Sequence, residues 1–434
     1  MEYQLITLSN GIRIVFKYAP FAIAHACLLI NAGTRDEPKG KFGLAHFIEH
    51  LLFKKTARRN TTQILNCLEV VGADLNAYTT KEYTCIHASF LNEHLARALD
   101  LFEDITFHSE FPEIEMHKER GIILDEIASY QDSPEDLISD DFEDIIFDKH
   151  PLGHNILGNE ESLISFTKKD IDEFIQENYT PDGIVIGITS NHTAKKIKAL
   201  CEKYFGDLPY RSSIPKQKCK VHHQVDTVKV IKPINQIHYM LGSTAYDIHH
   251  PYKTGLALLN NLLGGMGMSN RLNMEIREKY GIAYTIESNY SAFSDTGIFT
   301  IYLGTDVDKV NKAHQLLGKE LKKLRQKKLG PTQLSQAKRK FIGQIALGEE
   351  NRIAVITSMA KSVLDYGYVE SLEQIFSKIR SVSAEQIEEI ANEILHPNQL
   401  SSLLYIPADE ESSFHLQKNS NFVDQEAANK SSKK

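Results

Sequence analysis

Long apolar runs are missing from this 434-residue chain, and no stretch reaches membrane-spanning length, so no bilayer crossing is expected. Paired cysteines are missing as well. Cys27, Cys67, Cys85, Cys201 and Cys219 are odd in number and scattered, with no Cys-x-x-Cys. That pattern argues against a cysteine-based metal site or a thiol nucleophile and for reduced structural thiols. There is no surplus of basic charge: the net charge of −8 argues against nucleic acid as the main partner and suits cationic peptides. The opening Met1-Glu2-Tyr3-Gln4-Leu5-Ile6 has neither a basic stretch nor an apolar core. No secretory signal is therefore expected, and a cytoplasmic location follows from that lack.

What is present is an ordinary globular composition in a chain too long for one core, so two or more domains are expected. The stretch that organises them is Gly43-Leu44-Ala45-His46-Phe47-Ile48-Glu49-His50-Leu51-Leu52-Phe53. It is free of proline and of internal glycine, and its length suits a helix. His46 and His50 then lie one turn apart on one face with Glu49 beside them. Two imidazoles at that spacing can hold one Zn²⁺, and the neighbouring carboxylate can take a proton from water. The order His-x-x-Glu-His is the reverse of the commoner zinc-protease order. Composition alone would produce it by chance about once in twenty chains like this one, so a third ligand and a substrate site are required.

The third ligand is sought on a second helix. A helical stretch runs from Pro112 towards Ile145, interrupted near Ser133-Pro134, and contains Glu119 and Glu126 seven residues apart on one face among Ile122, Ile123 and Ile127. A two-histidine zinc site needs a carboxylate ligand and an open position for water. Glu126 is assigned that place, and Glu119, two turns earlier, can orient a ligand histidine. For the substrate, strands Asp74–Tyr78 and Tyr83–Ala88 form a hairpin. An edge strand there can take an extended peptide as one more strand, although Asn76 by itself reads as a turn residue.

The rest of the first half supplies strands over Leu5–Leu8, Ile12–Phe16, Ala24–Ala32 and Gly183–Thr189, with Ser9-Asn10-Gly11 as a tight turn. Helices are expected over Thr61–Val71, Glu93–Phe107, Lys168–Asn178 and Ala194–Phe205. Strands and helices mix without strict alternation, an α+β layer.

The ordered set His46-Phe47-Ile48-Glu49-His50, Leu75-Asn76-Ala77-Tyr78-Thr79 and Glu119-Arg120-Gly121-Ile122-Ile123-Leu124-Asp125-Glu126 resembles the inverzincin peptidases: pitrilysin, insulysin, and the mitochondrial processing peptidase with its small bacterial relatives. The resemblance spans positions 3 to 405. It implies one Zn²⁺ per chain on His46, His50 and Glu126, Glu49 as general base, and Asn76, Ala77 and Tyr78 on the strand that pairs with the substrate backbone. It also implies a duplicated fold of two homologous halves in a clamshell. The zinc-bearing domain is then 1–206, a Pro-, Ser-, Lys- and His-rich linker 207–224, a second domain without the metal site 225–416, and a disordered polar tail 417–434. In the second half, Tyr252–Leu263 stands where the first half has its histidine helix and lacks both ligands.

Ser269 to Tyr284 resembles the family's second functional segment, which implies that Arg277 and Tyr284 meet the substrate backbone and the developing oxyanion. The resemblance further implies a dimer, a homodimer or a heterodimer with a related subunit, in which Arg277 and Tyr284 of one subunit serve the other's site. The rival expectation is a non-catalytic partner subunit that keeps the fold for assembly. Just before this segment, Gly264-Gly265-Met266-Gly267-Met268-Ser269 invites a phosphate-cradling reading, but no Lys-Ser/Thr follows, and a plain loop is expected. The basic run Lys319 to Lys328 reads as solvated surface.

Overall fold

The computed structural model describes residues 3–213, 216, 219–410 and 416. The tail 417–434 lies outside the described residues, as do positions 214, 215, 217 and 218 of the expected linker. Two compact units divide the chain, each taken over its described residues. One comprises Met1–Ser129, His154–Gln217 and Ala346–Leu372; the other comprises Tyr130–Gly153, Lys218–Ile345 and Glu373–Lys434. The expected domains 1–206 and 225–416 are contiguous in sequence, whereas the packing units exchange segments: 130–153 pack with the second unit and 346–372 with the first.

The first unit is built on six strands: β1 (Tyr3–Thr7), β2 (Arg13–Tyr18), β3 (Ile23–Ile30), β4 (Asp74–Thr79), β5 (Thr84–Leu91) and β6 (Ile184–Ser190). Their order is β1-β2-β6-β3-β5-β4, with β2 and β6 parallel and the other pairs antiparallel. The turn between β1 and β2 uses Gly11 at φ +94, where a side chain would be strained. Every residue of β6 is buried, which is why it reads as an unbroken apolar run: both of its faces are covered. On one face Ile14, Phe16, Ala26, Leu28 and Ile30 join a core with helices α1 (Leu44–Leu52), α2 (Thr61–Glu69) and α3 (Leu95–Phe107). On the other, Val15, Cys27, Leu29, Cys85 and Val185 pack against Ile356, Ala360 and Val363 of the helix Arg352–Tyr366.

The second unit repeats that plan. Its strands are β7 (Thr227–Lys232), β8 (Ile237–Ala245), β9 (Ala283–Ala292), β10 (Gly297–Thr305) and β11 (Ser401–Pro407), in the order β7-β11-β8-β10-β9. The pair β7 and β11 is parallel and the rest antiparallel, so β7, β11, β8, β10 and β9 stand where β2, β6, β3, β5 and β4 stand in the first sheet. The helix Lys253–Leu263 takes the place of α1. The expected long helix from Pro112 is two, α4 (Glu113–Gln131) and α5 (Pro134–Ile146), divided where Pro134 starts a new first turn. Ile138, Phe142 and Ile146 of α5 pack on Met240, Ile298 and Leu403 of the second sheet. Each sheet is thus covered on one face by a helix from the other half of the sequence.

The segment after α1 is fastened to α3. Asp104, fully buried, accepts from the Thr56 hydroxyl at 2.9 Å, from Arg58 Nε at 2.8 Å and from Arg59. Burial pushes its carboxyl up, but the hydrogen bonds from Arg58, Arg59 and Thr56 outweigh that and hold it below the ordinary 3.8. A depressed pKa gives stability that is present above the unfolded value and lost as pH falls through the folded one. Asp104→Ala should therefore cost about 3 kcal/mol at pH 7. In denaturant titrations the gap from the unsubstituted chain should close below pH 3.8.

Candidate metal centre

α1 starts without a Ser, Thr, Asp or Asn cap. Its N-cap is Gly43 in the left-handed region at φ +91, and a Cβ there would lie 2.5 Å from the Leu157 carbonyl oxygen. The orphan amides are met from a distance by Glu37, whose side chain is fully buried: Gly43 N donates to Oε2 at 2.9 Å and Ala45 N to Oε1 at 2.8 Å. His154 Nε2 lies 2.9 Å from the same Oε2. Burial pushes the Glu37 carboxyl up against the opposing pull of His154 and these amides. The helix that carries the histidines is therefore fixed in position and direction at its first turn.

From that helix, His46 Nε2 and His50 Nε2 point towards Glu126 of α4, at 3.8 Å and 3.6 Å from its Oε2. The three ligand atoms lie within 4.8 Å of one another, the one such His/Cys/Asp/Glu group among the described residues. No hydrogen bond joins them. Their spacing is close to the roughly 3.4 Å edge of a tetrahedron with ~2.1 Å bonds. His46 is buried, and burial together with neighbouring His50 pulls it down to about 3, so its ring is neutral at pH 7. His50 Nδ1 faces Glu119 Oε2 at 3.1 Å, and Lys54 Nζ holds Glu119 Oε1 at 2.8 Å. An Nδ1–H donated to that carboxylate leaves the lone pair on Nε2, the nitrogen that faces Glu126. Two imidazole nitrogens and one carboxylate fit Zn²⁺.

Glu49 adjoins this group. Its Oε2 accepts from the Thr79 hydroxyl of β4 at 2.5 Å. Burial raises its pKa, the Thr79 hydrogen bond and His50 lower it, and Glu126 raises it again; the net direction is upward. Asn76, Ala77 and Tyr78 lie on β4, the edge strand of the sheet, opposite His87, Ile86 and Cys85. Asn76 is thus inside a strand, not in a turn, and its exposed side chain accepts from Ala77 N at 2.8 Å. Arg277 and Tyr284 belong to the second unit. Arg277 is exposed on a π-helical turn, Asn273–Glu278. Tyr284 stands on β9, the edge strand of the second sheet, 56% exposed, with its hydroxyl donating to Asp306 at 2.9 Å. That hydrogen bond raises the phenol pKa.

Thr79, Glu37, Lys54 and His154 were not singled out from the sequence. Thr79 and His154 lie 30 and 117 residues from their partners, beyond any local pattern. Glu37 left one trace: a helix start without a capping side chain needs a remote acceptor.

Residues 13–160 match the profile described as Insulinase (Peptidase family M16), and residues 165–341 match the Peptidase M16 inactive domain. The chain is 33% identical over 390 residues to an uncharacterized zinc protease, YmxG, of Bacillus subtilis, covering 89% of this chain and 94% of that one. It is 31% identical over 407 residues to an uncharacterized zinc protease of Rickettsia felis, covering 93% and 97%. Among solved structures, a protease from Helicobacter pylori superposes with a TM-score of 0.86 at 22% identity, covering 94% of this chain and 99% of that chain. A peptidase M16 inactive domain from Pseudomonas fluorescens superposes with 0.86 at 20%, covering 96% and 100%. Both show the same fold.

Glu119→Gln keeps the shape of the side chain and removes the charge that orients His50. It should weaken zinc binding by about 10- to 100-fold, read by competition with a chromogenic chelator.

Proposed function

The chain belongs to the insulinase family of peptidases, family M16, and on that premise we propose that it is a zinc-dependent endopeptidase acting on peptides or unfolded polypeptide segments. The observation that carries the proposal is the convergence of His46, His50 and Glu126 beside a carboxylate, Glu49, that is not one of the three ligand groups. Zn²⁺ held there would act as a Lewis acid on the scissile carbonyl and lower the pKa of the attacking water towards ~7. Glu49 takes the proton of that water and delivers it to the leaving amine. The Thr79 hydroxyl holds the Glu49 carboxylate in place for both transfers. Glu119 keeps the His50 ring in the tautomer that offers Nε2.

The substrate enters as an extended strand along β4, whose outer edge has no strand beside it among the described residues. Asn76, Ala77 and Tyr78 supply the main-chain pairing. Arg277 and Tyr284 bind the substrate backbone and the oxyanion, reaching the site of a second subunit in a homodimer. The alternative, a non-catalytic partner subunit, would have no need of the Glu49 carboxylate or of the Glu119 support behind His50. No helix among the described residues is long and apolar enough to cross a membrane.

Glu49→Gln should retain zinc by elemental analysis while kcat for a fluorogenic peptide falls by about 10²- to 10⁴-fold. Full activity in that variant would overturn the assignment of the base. Site sharing has its own readout: mixing inactive Glu49→Gln with weakened Tyr284→Phe should recover activity above the sum of the two, because one of the two mixed sites is then unaltered. A mixture no better than its components would count against sharing.

A further inference from the structure

Tyr284 owes its direction to an irregularity in the second sheet. β9 and β10 pair residue for residue as far as Thr285 opposite Gly304, but Thr305 faces Ala283. Tyr284 is therefore the extra residue of a bulge, and bulges re-aim the side chain they carry. Thr305, fully buried, closes this one: its hydroxyl donates to the Ile282 carbonyl at 2.6 Å. The next residue is Asp306. The Tyr284 hydroxyl donates to its carboxylate, 2.9 Å from Oδ1 and 3.1 Å from Oδ2. Lys309, which caps the helix Val310–Gln326, holds Oδ2 of the same carboxylate at 2.6 Å. The hydrogen bonds from Lys309 and Tyr284 hold the Asp306 carboxyl below its ordinary 3.8, so it is charged at neutral pH.

A phenol has one hydrogen to give. While Asp306 takes it, the Tyr284 oxygen offers only lone pairs, and an oxyanion needs a donor. The surroundings are equally unsuited to a developing negative charge. Tyr284 and Asp306 line a cavity of about 640 Å³ within the second unit, together with Asp132, Glu135 and buried His238. Three carboxylates and no lysine or arginine are among the described residues that line it. Burial lowers the His238 pKa, against an opposite pull from Glu135, so that ring adds little positive charge at pH 7. The backbone of the bulge is fixed by Thr305, but the ring of Tyr284 is 56% exposed and has room to turn away.

We propose that Asp306 is a positioning residue that parks Tyr284: in the free chain it withholds the hydroxyl from substrate, and turnover requires the phenol to leave it. The inference rests on the oxyanion-binding role proposed for Tyr284. Asp306 belongs neither to the metal ligands nor to the substrate strand and acts through Tyr284 alone. A hydrogen bond to a charged carboxylate makes the parked state the preferred one. Because the pair is open to solvent, the bond is weak enough to be exchanged in each turnover.

The test compares the full-length, zinc-loaded chain with Asp306→Ala, Tyr284→Phe and the double variant in steady-state cleavage of a fluorogenic peptide, with rates expressed per zinc bound. Asp306→Ala removes the acceptor and should raise kcat/KM about threefold. Asp306→Asn still accepts, but without charge, and should give a smaller rise. In the Tyr284→Phe background Asp306→Ala should change nothing, a dependence that a merely structural role would not produce. The contact is also read without turnover, by NMR titration of the chain carrying carbon-labelled tyrosine. The Tyr284 phenol, identified by its loss in Tyr284→Phe, should ionise at lower pH in Asp306→Ala. If Tyr284→Phe cleaves as fast as the unsubstituted chain, the role proposed for Tyr284 falls and the parking falls with it. If Tyr284→Phe is impaired, the parking alone is overturned by any of three results: no rise in Asp306→Ala, a rise that persists without Tyr284, or an unmoved Tyr284 titration. Should Asp306→Ala fail to fold, Asp306→Asn carries the same comparison, and no rise there overturns the proposal.

Discussion

Three donor atoms that converge without bonding one another are costly to assemble, and the first unit is arranged around that cost. His46 and His50 come from α1, Glu126 from α4, and nothing within the trio holds it together. The holding is done from outside. Glu37 pins the first turn of α1 through two backbone amides, and Glu119, itself anchored by Lys54, ties His50 to α4. Thr79 ties Glu49 to β4. Each of these partners is a buried or half-buried polar group that would be a liability if left unpaired. Together they convert desolvation, which would otherwise expel charge, into a fixed set of lone pairs.

The same physics explains the duplication. A sheet with two apolar faces must have both covered. In each unit one face is closed by helices that follow in the same half, and the other by a helix borrowed from the opposite half: Arg352–Tyr366 on the first sheet and α5 on the second. The candidate metal centre lies in the unit whose inter-strand helix carries histidines. The corresponding helix of the second unit, Lys253–Leu263, packs Leu256, Leu258, Leu259 and Leu263 into the core and contributes no ligand.

Local rules made most of the elements legible. The His46–His50 spacing, the Asn10-Gly11 turn, the Pro134 break and the apolar run of β6 each depend on neighbours within a few residues. Glu126 could be picked out as a candidate ligand because it lies seven residues from Glu119 on one helix, α4. What could not be read were pairings across tens or hundreds of residues: Glu37 with His154, Thr79 with Glu49, and the exchange of 130–153 and 346–372 between units. Lys319 to Lys328 shows a different limit. A charge run looks the same in sequence whether it faces solvent or lines a cavity, because what decides is the packing of Arg271 and Lys340 from elsewhere in the chain.

The borrowed helices also constrain how the molecule is made. As the polypeptide leaves the ribosome, β1 to β6 are complete by Ser190, yet the face formed by Val15, Cys27, Leu29 and Val185 stays bare until residues 352–366 emerge. α5 waits in turn, its apolar stripe of Ile138, Phe142 and Ile146 without a sheet, until β8, β10 and β11 exist. Neither half can finish folding before the other has been translated. A chain cut at the boundary between the halves would leave two sticky fragments rather than two independent domains.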